Sequence, residues 1–341
     1  MNLCEGLGFE YLSPQEQQAY KVMLKAFSSM AASVNCSQIN RDVDLMKVMQ
    51  AVLGDNPAII YFDKTKIEIE KSILGKEIIL MGAYSKPEAE KMGSALDTTV
   101  NKIVVAVKAR AKSSDEYSLL ISLYEILQKN IQYDKEEIQA NSRGICNNPA
   151  SHNAYGAIIN KLAVCDGFSS AFALLAGKLG FECMSVVGRS TCAVTVQEHA
   201  WNIIKIRGKY YHFDVTWDAR NYNEFNEFFY AYFAITDEEI MHDHSWNKTA
   251  TPVCSHNNFS YYLKNRLYAN NTEQLNNIMK EFGRKQSTIF RVKLSRSIKL
   301  PNNTGDYLVQ MALKEVAKPG VQTRASYGWN ENTRCFFAKV V

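Results

Sequence analysis

The sequence has no apolar run approaching the roughly 18–20 residues that a membrane-crossing helix needs. It also has no C-x-x-C pair, no internal repeat and no low-complexity segment. A membrane span is therefore not expected. The N-terminal stretch MNLCEGLGFEYLSPQEQ lacks a basic segment followed by an apolar one, so no secretory signal is visible. The expectation is a cytoplasmic chain, or a secreted one if a leader has been lost. The eight cysteines are scattered, and a chain this long needs no disulfide framework, so reduced thiols are the default. Their even number leaves disulfides open.

What the sequence does hold is an ordinary globular profile. With 46% hydrophobic and 22% charged residues in 341, it can bury a sizeable core, and disorder is excluded. The length predicts two or three domains. Charge is unevenly placed. From Phe259 to Val341 there are fourteen Lys/Arg against five Asp/Glu, a charge of +9, which leaves −5 for the rest of a chain of net charge +4. That basic tail reads either as a solvated face or as a surface for an anionic partner, and it carries no nucleic-acid motif.

Helix starts are legible at Ser13-Pro14-Gln15-Glu16 and Ser85-Lys86-Pro87-Glu88, where a serine cap, a proline in the first turn and a returning glutamate recur. These predict helices to about Met30 and Arg110. Further helices are expected over Val43–Leu53 and from Asp115-Glu116 to about Asn130, with short strands at Ile59–Phe62, Ile67–Glu70 and Ile78–Met81. The tail after Ser255 reads as strand, helix, strand, helix, hairpin, its helices opening at Thr272 and near Thr304.

In AVCDGFSSAFALLAGKLGFEC, residues 163–183, the apolar residues Phe168, Phe172, Leu175 and Leu179 mark one helix face, and Gly180 supplies its stop. Cys165 lies off that stripe, at the first turn, where backbone N–H groups are unpaired and the dipole is positive. Such a place is expected to lower a thiol's pKa and to offer N–H groups to an oxyanion. Gly167 is expected to keep bulk away from the sulfur. Cys183 reads as core.

A nucleophilic cysteine needs a base, and the base needs an orienting group. HAWNIIKIRGKYYHFDVTW alternates and turns at Arg207-Gly208, a hairpin signal. A two-residue turn places Ile206 opposite Lys209 and His199 opposite Thr216. Asp214 is then the diagonal neighbour of His199 on one face, about 7–8 Å away at the backbone. His212 shares that face and competes with His199. His242 and His244 flank Asp243, but no third ligand is indicated there. The set Cys165, Cys183, Cys192 and His199 matches no recurring zinc spacing. No metal and no cofactor are expected.

Together VCDGFSSAFALLAGKLGFEC, HAWNIIKIRGKYYHFDVTWD and YFAITDEEIMHDHSW, preceded by SHNAYGAIINKLA, resemble the transglutaminase-like superfamily of papain-like cysteine enzymes over roughly residues 12–250. The likeness is to a bacterial branch with a helical N-terminal extension. It implies an α+β fold, with the nucleophile's helix packed on an antiparallel sheet. The expected organisation is a mainly helical region over 1–112, a catalytic core over 113–255 and a small basic α/β domain over 256–341. The resemblance also implies Cys165 as nucleophile, His199 as general base and acid, and Asp214 as orienter. His152, Tyr155 and Trp201 are expected at the cleft as substrate or oxyanion contacts, Trp201 reading more readily as core or cleft wall than as chemistry. The implied chemistry is acyl transfer on a protein or peptide amide. Hydrolysis is favoured over glutamine crosslinking and over a non-catalytic peptide- or wall-binding module.

Overall fold

The computed structural model describes residues 3–72, 75–82, 84–192, 195–317 and 323–341. The chain forms two compact units. The first comprises 1–229 and 244–254; the second comprises 230–243 and 255–341.

In the first unit both capped helix starts form. Ser13 N–H donates to Glu16 at 2.8 Å and opens Pro14–Ser28; Ser85 N–H donates to Glu88 at 2.9 Å and opens Lys86–Arg110. The helix Leu45–Asp55 is capped by Asp44, whose carboxylate accepts from Met46 N–H. Of the two short strands expected at 59–62 and 67–70, the second lies within the strand Phe62–Ser72 but the first contributes only Phe62 to it, and the register shifts between Phe62 and Ile67. It pairs with Gly75–Gly82, which also pairs with Ser33–Asn35. Tyr20, Met23, Phe27, Val48, Val52 and Phe62 fill the core between these helices and strands.

The second layer of this unit carries the cysteine. Cys165–Lys178 is a helix with Phe168, Phe172 and Leu175 buried, as the stripe predicts. It packs on an antiparallel sheet in the order His244–Trp246, Glu182–Cys192, Thr195–Ile206, Lys209–Phe213. Phe172 meets Phe213 and Tyr124 at ring-centroid distances of 5.5 and 6.1 Å, joining helix, sheet and the helix Glu116–Asn130. This is an α+β architecture.

In the second unit the tail has the expected strand, helix, strand, helix, hairpin order. The sheet order is Tyr268–Ala269, Ile289–Leu294, Cys335–Val340, Ala325–Asn330, with only the first pair parallel. Helices Thr272–Lys285 and Thr304–Val316 bury Leu275, Met279, Leu308 and Ala312 against Phe290, Val292 and Phe336. Lys293 forms a buried ion pair with Glu239 of the 230–243 segment.

No helix among the described residues is long and apolar enough to cross a membrane.

Candidate functional site

The hairpin that sets the site turns at Arg207 and Gly208, both at positive φ (51° and 74°). Ile206 faces Lys209 and Asn202 faces Phe213, the register of a two-residue turn. The strand stops at Phe213, one residue before the acid. Asp214 is instead the cap of the helix Val215–Phe225, its Oδ1 accepting from Trp217 N–H at 3.1 Å. Strand alternation carries the chain to the correct face, and the cap then points the carboxylate inward.

That carboxylate's other oxygen, Oδ2, lies 2.7 Å from His199 Nε2. Asp214 is fully buried and His199 nearly so. A second imidazole meets the same atom, with His244 Nε2 at 3.1 Å and His244 buried. A carboxylate only accepts, so each Nε2 carries the hydrogen it donates. In the neutral ring this tautomer leaves His199 Nδ1 as an acceptor. Ligands on a tetrahedral zinc with Zn–N near 2.0–2.1 Å stand about 3.3 Å apart. Separations of 2.7 and 3.1 Å are instead hydrogen bonds. Burial alone would raise the Asp214 carboxyl, but the two imidazoles outweigh it and hold the group well below the ordinary carboxylate range.

Cys165 is the first residue of its helix and is half-buried. Its sulfur takes backbone N–H contacts from Asp166 and from Ala200, the residue after His199. The thiol is not acidified as its helix-end position predicts. Burial pushes it up to about 12, with the carboxylates of Asp166 and Asp214 adding to the rise and the two N–H groups opposing it. Desolvation and two nearby negative charges outweigh the helix dipole here. The role expected for Gly167 also changes. A Cβ there would fall 2.2 Å from the Ser151 carbonyl oxygen, so the glycine admits the preceding loop, not a substrate.

His152 has both ring nitrogens engaged inside the protein: Nδ1 is 3.0 Å from Asp166 Oδ2 and Nε2 is 3.3 Å from Glu137 Oε1. Trp201 is buried, its ring stacked 6.0 Å from that of His199 and its indole N–H donating to His212 Nδ1 at 3.0 Å. The Trp201 bond absorbs His212, so the two histidines that shared a face on the sequence have separate partners. Tyr155 is half-buried, within electrostatic reach of Tyr84. The side chain of Cys192 lies outside the described residues. Cys183 is half-buried in its strand.

Four residues near the site were not foreseen in these roles. His244 arrives on a three-residue strand paired to Glu182–Cys192, with His244 opposite Ser190. Gly188 faces His199 across the next pair, and a Cβ on it would sit 2.3 Å from the Ser245 carbonyl. That glycine lets the His244 strand close on the sheet. Tyr133 pairs with Ala163, two residues before the cysteine, and its phenol is raised by burial and then by the nearby Cys165 sulfur. Lys64 reaches within 3.4 Å of Ser170 Oγ on the cysteine helix; burial lowers its pKa and Asp166 opposes this. A buried polar residue in a short alternating stretch, His244-Ser245-Trp246, is the one signal that could have flagged His244.

Residues 104–215 match the profile of the transglutaminase-like superfamily, a span holding Cys165, His199 and Asp214. This segment is similar to a transglutaminase-like core. Among solved structures, the chain is similar to a TGase at 17% identity, covering 44% of each chain with a TM-score of 0.32. It is also similar to a protein described as a cysteine protease from Cytophaga hutchinsonii, at 14% identity and a TM-score of 0.28, covering 44% of this chain and 61% of that one. Both alignments thus span less than two thirds of the relative. No curated protein matches the chain. The 230–243 and 255–341 segments form the separate second unit.

Proposed function

We propose that the protein is a cysteine-dependent acyl-transfer enzyme acting on a protein or peptide amide, with Cys165 as nucleophile, His199 as base and acid, and Asp214 as orienter. The observation that carries this reading is the buried 2.7 Å His199–Asp214 hydrogen bond, formed one residue from the Ala200 N–H that contacts the Cys165 sulfur.

Cys165, whose thiol is raised by burial, enters the reaction as S–H. When an amide carbonyl approaches, the thiol proton passes to His199 Nδ1 as the sulfur–carbon bond forms. The carbonyl electrons move to oxygen, beside N–H groups of the helix start. Collapse expels the amine, which takes the proton from His199, and leaves a thioester on Cys165. A water then gives its proton to His199, attacks the thioester and releases the acid, restoring the thiol. Asp214 holds the required tautomer and balances the transient imidazolium. His244 is a positioning residue, fixing the carboxylate from its other side. We favour water over an amine as acceptor, hence a peptidase or amidase over a crosslinking transferase.

The test is capture with a peptide-based electrophile on the intact chain, read by peptide mapping. Adducts are expected on Cys165, with none in Cys165→Ala. Labelling spread evenly over the other thiols, or undiminished in Cys165→Ala, rules the nucleophile out.

A further inference from the structure

We infer that Glu137, Cys146 and His152 form a zinc-binding site next to the first turn of the cysteine helix, separate from the Cys165–His199–Asp214 set. One donor atom from each of the three residues lies within 4.8 Å of the other two. They come from three neighbouring pieces of chain: the helix Lys135–Asn141, the loop after it and the turn Pro149–His152. The His152 Nε2 to Glu137 Oε1 separation is 3.3 Å. That equals the edge expected for nitrogen and oxygen ligands around tetrahedral zinc, about 3.3 Å.

The donor set suits a borderline cation. A thiolate and an imidazole favour zinc over magnesium or calcium, which select oxygen. Zinc with one thiolate and one carboxylate is a neutral unit, which a buried site tolerates. The thiol proton of Cys146 and the Nε2 proton of His152 leave to solvent on binding. The surroundings resemble a supporting shell already in place. Glu137 Oε2 accepts from the backbone N–H groups of Asn147 and Asn148 at 3.1 and 2.9 Å. His152 Nδ1 is held by Asp166 Oδ2 at 3.0 Å, the carboxylate–histidine arrangement that orients an imidazole toward a metal. Glu137 and His152 are buried, while Cys146 is half-buried and offers the route in. A water completes four ligands, and the hydrogen bond that the Asn141 amide oxygen accepts from His152 Nε2 at 3.0 Å is given up on binding.

The test uses the full chain with Cys165→Ala as background, so that the proposed nucleophile cannot supply the thiolate. Cobalt(II) is titrated in as a spectroscopic probe and then displaced by zinc. The expected result is one equivalent of cobalt with tetrahedral d–d bands and a thiolate-to-cobalt charge-transfer band. Both should vanish in Cys165→Ala/Cys146→Ala, with thermal unfolding of the apo protein unchanged. Asp166→Asn should weaken affinity about 10–100-fold while keeping the spectrum. No stoichiometric binding, or a charge-transfer band that survives Cys146→Ala, overturns the site. Neither result bears on whether Cys165 is the nucleophile.

Discussion

At the scale of single residues, Asp214 does the most. One oxygen caps a helix and the other receives two imidazoles. An unfolded aspartate titrates near 3.9, and the folded Asp214 titrates below that. A depressed carboxyl stabilises the fold fully above its unfolded pKa and loses that contribution as pH falls through the folded one. Asp214→Asn removes this contribution. Urea unfolding should therefore show the variant less stable than the parent at pH 7, with the gap narrowing below about pH 4; a gap that widens on acidification contradicts the assignment. Turnover of Asp214→Asn should fall about 10⁴-fold, as when a serine-triad aspartate is replaced. In the proposed mechanism His244 acts through Asp214 and not on substrate. A hydrogen bond to a charged group contributes about 1.5–3 kcal/mol, so His244→Ala should lower kcat roughly 10–100-fold with KM little changed. A loss confined to KM would place His244 in substrate binding.

At the scale of elements, the site depends on one turn. Tyr211 and Phe213 point into the core, and the register through Arg207-Gly208 is what puts Asp214 beside His199. Inserting one glycine after Gly208 shifts every following side chain to the other face. The expected outcome is loss of electrophile labelling at Cys165 together with a lower unfolding midpoint, whereas normal labelling would mean that the hairpin register does not set the site. This register was legible because a period of two and a Gly turn are local signals. The cysteine helix was legible for the same reason, from its stripe at spacings of four and three. The cap role of Asp214 was less so, since the strand ends one residue earlier than the alternation suggests. His244 had only the short alternation of His244-Ser245-Trp246 to mark it: its strand has three residues and lies thirty positions after Asp214, and only long-range pairing to Glu182–Cys192 brings it in. The thiol's raised pKa was missed because the dipole is local to the helix, while the burial and the Asp166 and Asp214 charges are products of packing.

At the scale of the molecule, the segment similar to a transglutaminase-like core shares one unit with N-terminal helices and a three-stranded sheet. Gly54, at the end of Leu45–Asp55, packs against Ser185 in the strand beside the His199 strand, so the N-terminal region supports the sheet that bears the candidate site. The second unit has its own core, and part of its positive charge is neutralised within it, by Glu239 on Lys293 and by Glu281 on Arg284 and Lys285. The central claim is that Cys165 carries an acyl group during turnover. Its most direct measurement is intact-mass spectrometry of the full chain, quenched in acid while turning over a peptide-amide library. The account predicts a mass increase equal to a peptide acyl group, mapped to Cys165, sensitive to hydroxylamine and absent from Cys165→Ala. Peptide cleavage that proceeds at the parent rate in Cys165→Ala would contradict it.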